Sequence, residues 1–186
     1  MTKVKSAHNL IVGLFLLAFI LSLQVSKPSE AKSTIAKGKE EKRIEKTHEI
    51  TFTTVNRVEV LKKFLEKYNS PLAEEAETFV RVADEKNLDY RLLPAISCME
   101  STCGKFTPQG SYNAWGWGIY GTNMITFNSW EEAIETVGEG IAKNYAANGL
   151  NTPEEMAPVY TPPNSVNWSN GVRFFMNQMD EIALDS

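Results

Sequence analysis

Six stretches of helical periodicity, interrupted once by an aromatic and glycine-rich segment, constrain what this chain can fold into. Val58, Leu61, Phe64 and Leu65 recur at helical spacing and predict a first helix over roughly 56–68. Ser70-Pro71 reads as an N-cap with proline at the first helical position. Leu72, Ala76, Phe79, Val80 and Ala83 then form the apolar stripe of a second helix, which Asn87 closes. Asp89 caps a third helix over roughly 90–101, with Leu92, Leu93 and Ile96 facing inward and Pro94 near the first turn, where its missing N–H costs least. Ser129 and Glu132 have capping-box spacing ahead of Ile134, Val137, Ile141 and Tyr145, and Gly149 ends that helix. Thr152-Pro153 with Glu155 opens a short helix by the same logic. Val172, Phe175, Met176, Met179 and Ile182 form the last stripe, and these sulfur and aromatic side chains read as core.

The interruption is GKFTPQGSYNAWGWGIYGTNMITF, residues 104–127. It alternates aromatic residues with glycine around Trp115, Trp117 and Ile119, which predicts a short strand or β-hairpin. The expected fold class is therefore mainly α, a helical domain with a small β-hairpin insertion. Gly116 to Gly121 match the letters GxGxxG, but bulky aromatics fill the variable positions and the next helix opens only near Trp130. A dinucleotide site needs a helix opening inside the motif, so these glycines instead predict a tight turn or a close ligand approach. No internal repeat is visible.

The N-terminus has a different character. Lys3 and Lys5 precede an apolar run from Leu10 to Leu23. As a helix this rises about 21 Å, short of the roughly 30 Å hydrocarbon core of a bilayer, and suits a secretory signal peptide. With Val25 included, the run can also serve as a tilted membrane anchor. The seven positive charges between Lys27 and Lys46 argue for an inward-facing flank instead. The expected organisation is a signal peptide or anchor over 1–25, a charged linker over 26–55 and a globular domain over 56–186. Such a protein is exported, to the cell envelope or beyond, and meets the membrane through its N-terminus if that segment is uncleaved.

Charge and histidine usage narrow the chemistry. Residues 1–48 hold nine Lys/Arg against four Glu, whereas residues 49–186 hold ten against nineteen Asp/Glu. An acidic domain is a poor partner for phosphate backbones, so nucleic acid is not an expected partner. The two histidines, His8 and His48, both precede the predicted domain. Ser/His/Asp triads, Cys/His pairs and histidine-based zinc sites therefore lack their material. No metal and no cofactor are expected.

Glu100 stands out in what remains. It closes the apolar run Ile96-Ser97-Cys98-Met99, and a carboxylate so placed is partly desolvated, which moves its pKa toward the range of a general acid. The competing explanation is a solvated helix-terminal glutamate. Tyr112, Trp115, Trp117 and Tyr120 follow within nine residues of one another. Aromatic faces stack on the C–H faces of sugar rings, and this density predicts that at least two of the four serve a ligand surface while others pack the hairpin.

Four motifs in order carry a resemblance. Glu100-Ser101 ends a predicted helix, and Tyr112-Asn113-Ala114-Trp115-Gly116-Trp117-Gly118 follows. Phe127-Asn128-Ser129-Trp130-Glu131-Glu132 opens the next helix, and Val159-Tyr160-Thr161-Pro162-Pro163 precedes Asn167-Trp168-Ser169-Asn170-Gly171-Val172. Over residues 70–184 the chain resembles the lysozyme-like endo-β-N-acetylglucosaminidase family. That family includes bacterial autolysins, the flagellar peptidoglycan hydrolase domain and mannosyl-glycoprotein endo-β-N-acetylglucosaminidase-like domains. The resemblance implies a lysozyme-like helical domain that cleaves β-1,4 linkages of N-acetylated cell-wall glycan such as peptidoglycan, with Glu100 as general acid. It further implies that Ser101 orients that acid or the sugar, that Asn113 and its aromatic neighbours contact glycan, and that Tyr160 stabilises charge at the reacting carbon. Packing beneath the Pro162-Pro163 turn is the other role open to Tyr160.

One departure bears on mechanism. Glycosidases use two carboxyl groups as a rule, about 5–5.5 Å apart for retention and roughly 6.5–9.5 Å apart for inversion. No Asp or Glu lies between Glu100 and Glu131. Either Glu131, Glu132 or Glu135 supplies the second group, or a single acid suffices, through the substrate's N-acetyl group or through a 1,6-anhydro product as in lytic transglycosylases. Cys98 and Cys103 flank Glu100. They form a disulfide only if the helix stops near Ser101, and otherwise remain thiols. The alternative outside enzymology is a catalytically weak glycan-binding module, or an envelope protein whose aromatics are all packing.

Overall fold

The computed structural model describes residues 42, 43, 46, 56–118 and 124–185. The segments expected as signal or anchor and most of the linker lie outside the described residues. Among those described, no helix is long and apolar enough to cross a membrane.

The described residues are mainly helical. Helix α1 covers 56–67 and buries Val60, Leu61, Phe64 and Leu65 completely. Asn69, in the left-handed region at φ 50°, turns the chain. The Ser70 hydroxyl then accepts from the Leu72 N–H at 3.0 Å and donates to the Cys103 carbonyl at 2.7 Å. It thus caps a tight turn and ties it to the end of a later helix. A single 3-10 turn, Ala73–Glu75, leads into α2, Ala76–Lys86. The helix proper starts about one turn after the Ser70-Pro71 signal, because Ser70 serves that turn. It ends at Asn87, whose φ of 53° is the left-handed stop the sequence suggested.

Helix α3, Leu92–Ser101, is the central element, with every residue from Leu92 to Cys98 buried. Helix α4, Trp130–Asn144, starts on Ser129, whose side chain accepts from the Glu132 N–H. The reciprocal bond is shifted by one residue: the Glu132 carboxylate accepts from the Asn128 N–H at 2.7 Å. Helix α5, Pro153–Tyr160, has the full Thr152–Glu155 capping box. Helix α6, Ser165–Leu184, buries Trp168, Val172, Met176 and Met179. It packs against both α3 and α5, and α2 packs against α4.

Ion pairs lace these contacts together at the surface. Arg91 at the start of α3 reaches Asp180 on α6, Arg173 on α6 reaches Glu154 on α5, and Arg81 on α2 reaches Glu131 and Glu135 on α4. Exposed pairs of this kind contribute up to about 1 kcal/mol each, so they set helix register more than stability. Stability comes from the shared apolar core, at roughly 1.5–3 kcal/mol for each large side chain taken out of water.

The β-hairpin expected over 104–127 is not formed: that segment contains no strand among its described residues, and 119–123 lie outside them. The physical reason is visible in the hydrogen bonds. Rather than a strand ladder, the Asn113 amide closes the loop, donating to the carbonyls of Trp117 and Ile125 and accepting from the Trp117 N–H. A backbone bond from the Phe127 N–H to the Ser111 carbonyl completes the crossing. Positive φ angles at Gly110, Tyr112, Gly116 and Gly118 bend the chain too often for a strand.

Candidate active site

Helix α3 delivers Glu100 in its last turn. Thr102 and Cys103 then adopt left-handed conformations, φ 53° and 57°, an uncommon state for residues with a Cβ. Three devices hold this turn. Cys98 and Cys103 are disulfide-bonded. The Cys103 N–H reaches back to the Ser97 carbonyl at 3.2 Å. The Ser101 hydroxyl lies between the carbonyls of Ser97 (3.0 Å) and Ala114 (2.8 Å) while accepting from the Gly104 N–H (2.9 Å). Replacing both cysteines by alanine is expected to cost about 2 kcal/mol in denaturant unfolding, the loop-entropy value for so short a bridge. An unchanged midpoint would assign the whole turn to the serines.

A groove of about 550 Å³ opens beside this turn, within the range of roughly 300–1,000 Å³ usual for ligand sites. Glu100 and Tyr160 lie on one side of its lining, and Trp117, Tyr145 and Thr161 also face it. Glu100 is the one carboxylate among the described residues that line it. By surface area Glu100 counts as exposed, since it borders an open groove, yet the surrounding protein still withdraws water from its carboxyl. The second effect governs protonation: desolvation raises the Glu100 pKa above the usual carboxylate value, and a hydrogen bond from Trp168 partly opposes it. That bond runs from the Trp168 indole Nε1 to Glu100 Oε1 at 2.6 Å.

Tyr160 stacks on Trp168, with centroids 4.6 Å apart and planes 26° from parallel. Its hydroxyl donates to the Trp115 carbonyl at 3.1 Å. Burial, followed by the nearby Glu100 and Tyr145, pushes the Tyr160 phenol well above its ordinary pKa, so it remains a neutral donor at any working pH.

The other residues singled out in the sequence fall into two groups. Trp117 is half-buried along the groove, its ring lying so close over α4 that a Cβ at Gly140 would come within 2.2 Å of it. Trp115 borders the groove but is buried in the core, 1% exposed, with its indole N–H on the Leu93 carbonyl and its ring edge-on to Phe79. Ser101 and Asn113 are buried, and their polar atoms are used within the protein, on the α3 turn and the 113–117 loop. Tyr112 is exposed and packs edge-on against Trp130, and it is not among the described residues lining the groove. Tyr120 lies outside the described residues.

The three candidate second carboxylates stand elsewhere. Glu131 and Glu135 pair with Arg81, and Glu132 serves the start of α4. A second groove, of about 640 Å³, includes Glu131 and lies between α1, α2 and α4. Of its four lining acids, Glu59, Asp84 and Glu131 pair with Lys63, Arg57 and Arg81, and Glu77 is exposed, so its larger volume does not mark it as the reactive one. Among the described residues, no group of three or more His, Cys, Asp or Glu could hold a metal ion.

Trp168, Tyr145, Asn144 and Thr161 were not marked as site residues by the sequence. Trp168 shares the helical spacing of Val172 and Met176, so it reads as one more core residue. Compared with protein-family models and with curated proteins, the chain matches none.

Proposed function

We propose that this protein is an exported glycosidase with a lysozyme-like helical domain, cleaving β-1,4 linkages of N-acetylated cell-wall glycan in the manner of an endo-β-N-acetylglucosaminidase. The observation that supports this most directly is the desolvated Glu100 carboxyl, hydrogen-bonded by an indole and set in an aromatic groove. A general acid needs a raised pKa and room for a substrate beside it; the Glu100 pKa is raised, and the residue borders the groove.

In this reading Glu100 protonates the glycosidic oxygen as the bond to C1 breaks. With no second carboxylate among the described lining residues, the group that meets C1 comes from the substrate. If it is the N-acetyl oxygen, a cyclic oxazolinium ion forms, and water activated by the Glu100 carboxylate opens it. If it is the sugar's own 6-hydroxyl, its proton returns to Glu100 and a 1,6-anhydro end results. The single acid of the groove favours this pair of routes over a two-carboxylate mechanism. Tyr160 sits beside Glu100 as a permanently neutral phenol, suited to stabilising charge through its dipole without competing for the proton.

The test is mass spectrometry of purified peptidoglycan digested by the full chain. Ends in reducing N-acetylglucosamine identify a glucosaminidase, and anhydro-muramyl ends a lytic transglycosylase. Pelleting with the wall and no release would overturn the catalytic role in favour of a binding module.

Trp117 supplies an independent check. If its ring stacks on a sugar, Trp117→Ala is expected to weaken glycan binding roughly tenfold, the equivalent of about 1.4 kcal/mol. Isothermal titration with a soluble N-acetylglucosamine oligomer reads this directly. Unchanged affinity would confine the ring to packing on Gly140.

A further inference from the structure

Glu100 and Trp168 are 68 positions apart in the chain, yet their side chains meet in a hydrogen bond of 2.6 Å from Nε1 to Oε1. Several features bring the indole there and keep it there. Trp168 is 3% exposed, and Tyr160 covers it in a stacked arrangement. Tyr160 is itself fixed at its far end by the Trp115 carbonyl. Gly171, three residues after Trp168 on the same face of α6, has Met99 against it: a Cβ there would stand 2.4 Å from the Met99 sulfur. Met99 precedes Glu100, so the close approach of α6 to α3 is built into the residues beside the acid.

The chemistry of the pair is directional. An indole N–H donates and cannot accept, so it bonds only an oxygen with a free lone pair. In a protonated carboxyl the carbonyl oxygen is a stronger acceptor than the hydroxyl oxygen, so the indole favours Oε1 as the carbonyl and the proton on Oε2. After the proton has gone, the same bond remains to an anionic oxygen and strengthens.

We infer that Trp168 is a positioning residue for Glu100, holding Oε1 through its indole N–H so that the transferable proton resides on Oε2. Its significance for catalysis rests on the proposed glycosidase function. The groups that face this pair are Tyr160 from α5 and, behind it, Tyr145 at the end of α4. Both are phenols, and no lysine or arginine is among the described residues lining the groove. Loss of the indole bond moves the Glu100 midpoint up, whereas water admitted beside a smaller ring moves it down, so an upward shift on altering Trp168 reports the indole bond.

The experiment uses the full chain with carbon-13-labelled glutamate, comparing wild type with Trp168→Phe. Phenylalanine keeps a ring against Tyr160 and deletes the donor. In the wild type, the Glu100 carboxyl carbon and the Trp168 indole N–H are expected to titrate with one common midpoint. Separate midpoints overturn the inference without need of any variant. In Trp168→Phe the Glu100 midpoint moves to higher pH, because a bond that favoured the carboxylate is lost. The high-pH limb of kcat follows it, and kcat falls on the order of 10–100-fold with KM little changed, as for a misaligned reacting group. A purely structural tryptophan would lower the melting temperature and leave both midpoint and limb in place. An unmoved or lowered midpoint overturns the positioning role whatever the catalytic result. A raised midpoint in a protein that releases no glycan leaves the hydrogen bond standing and overturns the glycosidase function instead.

Discussion

Glu100→Gln is expected to reduce glycan release by roughly 10²- to 10⁴-fold, the range that a positioned general acid supplies. The amide retains an oxygen able to accept from the Trp168 indole, so the geometry of the groove should survive while the transferable proton is lost. Stability should move the other way. The folded-state pKa of Glu100 is raised, so between its unfolded and folded values the native state binds more protons than the unfolded state. Stability on that account falls as pH rises through this window, and above it the carboxylate is a standing cost. Glutamine carries no such charge, and the variant should melt at or above the wild-type temperature at neutral pH. Measured together, activity against purified peptidoglycan and thermal unfolding separate the two roles. Retained cleavage would remove Glu100 from the chemistry. Lost cleavage with a lower melting temperature would make it a structural residue whose removal disturbs the site.

Trp115→Ala should have the largest effect on stability, about 3–5 kcal/mol, a substantial share of the roughly 5–15 kcal/mol available to a domain. The ring is almost fully enclosed, meets Phe79 edge-on and anchors its N–H on the Leu93 carbonyl within the central helix. Its removal leaves a cavity between α2 and α3 and frees the loop whose carbonyls hold Ser101 and Tyr160. Urea unfolding of the full chain, read by tryptophan fluorescence, gives the number. A loss below about 1.5 kcal/mol, with glycan binding weakened instead, would return Trp115 to the ligand surface.

The contrast between Trp115 and Trp117 marks how far the sequence could be read. Two residues apart, in a run of alternating aromatics and glycines, they invite the same assignment. One is pinned inward by an indole hydrogen bond and the other lies along the groove, because successive bends, and not a strand's alternation, orient them. Ser101 and Asn113 make the same point for polar side chains. The resemblance implied that Ser101 orients the acid or the sugar and that Asn113 contacts glycan. The buried backbone of the α3 turn and the 113–117 loop needs donors and acceptors of its own, and these two side chains meet that demand. The resemblance to glycan-cleaving domains pointed to this stretch of chain without distinguishing its scaffold from its surface.

What the sequence by itself determined was local. Helical periodicity and caps such as Ser129 and the Thr152–Glu155 box reproduce the helices, since these signals act within a few residues of where they are written. The apolar run from Ile96 to Met99 likewise pointed to a partly desolvated Glu100, and burial does raise that carboxyl. Tertiary structure alone decided the partners. It brought Trp168 from α6 onto Glu100 and Tyr160 from α5 onto Trp168, and it carried Glu131, Glu132 and Glu135 away to α2 and a helix cap. Those outcomes depend on how closely α3, α5 and α6 approach one another. That distance is set by side chains far apart in the chain, such as Met99 against Gly171, and no local pattern records it.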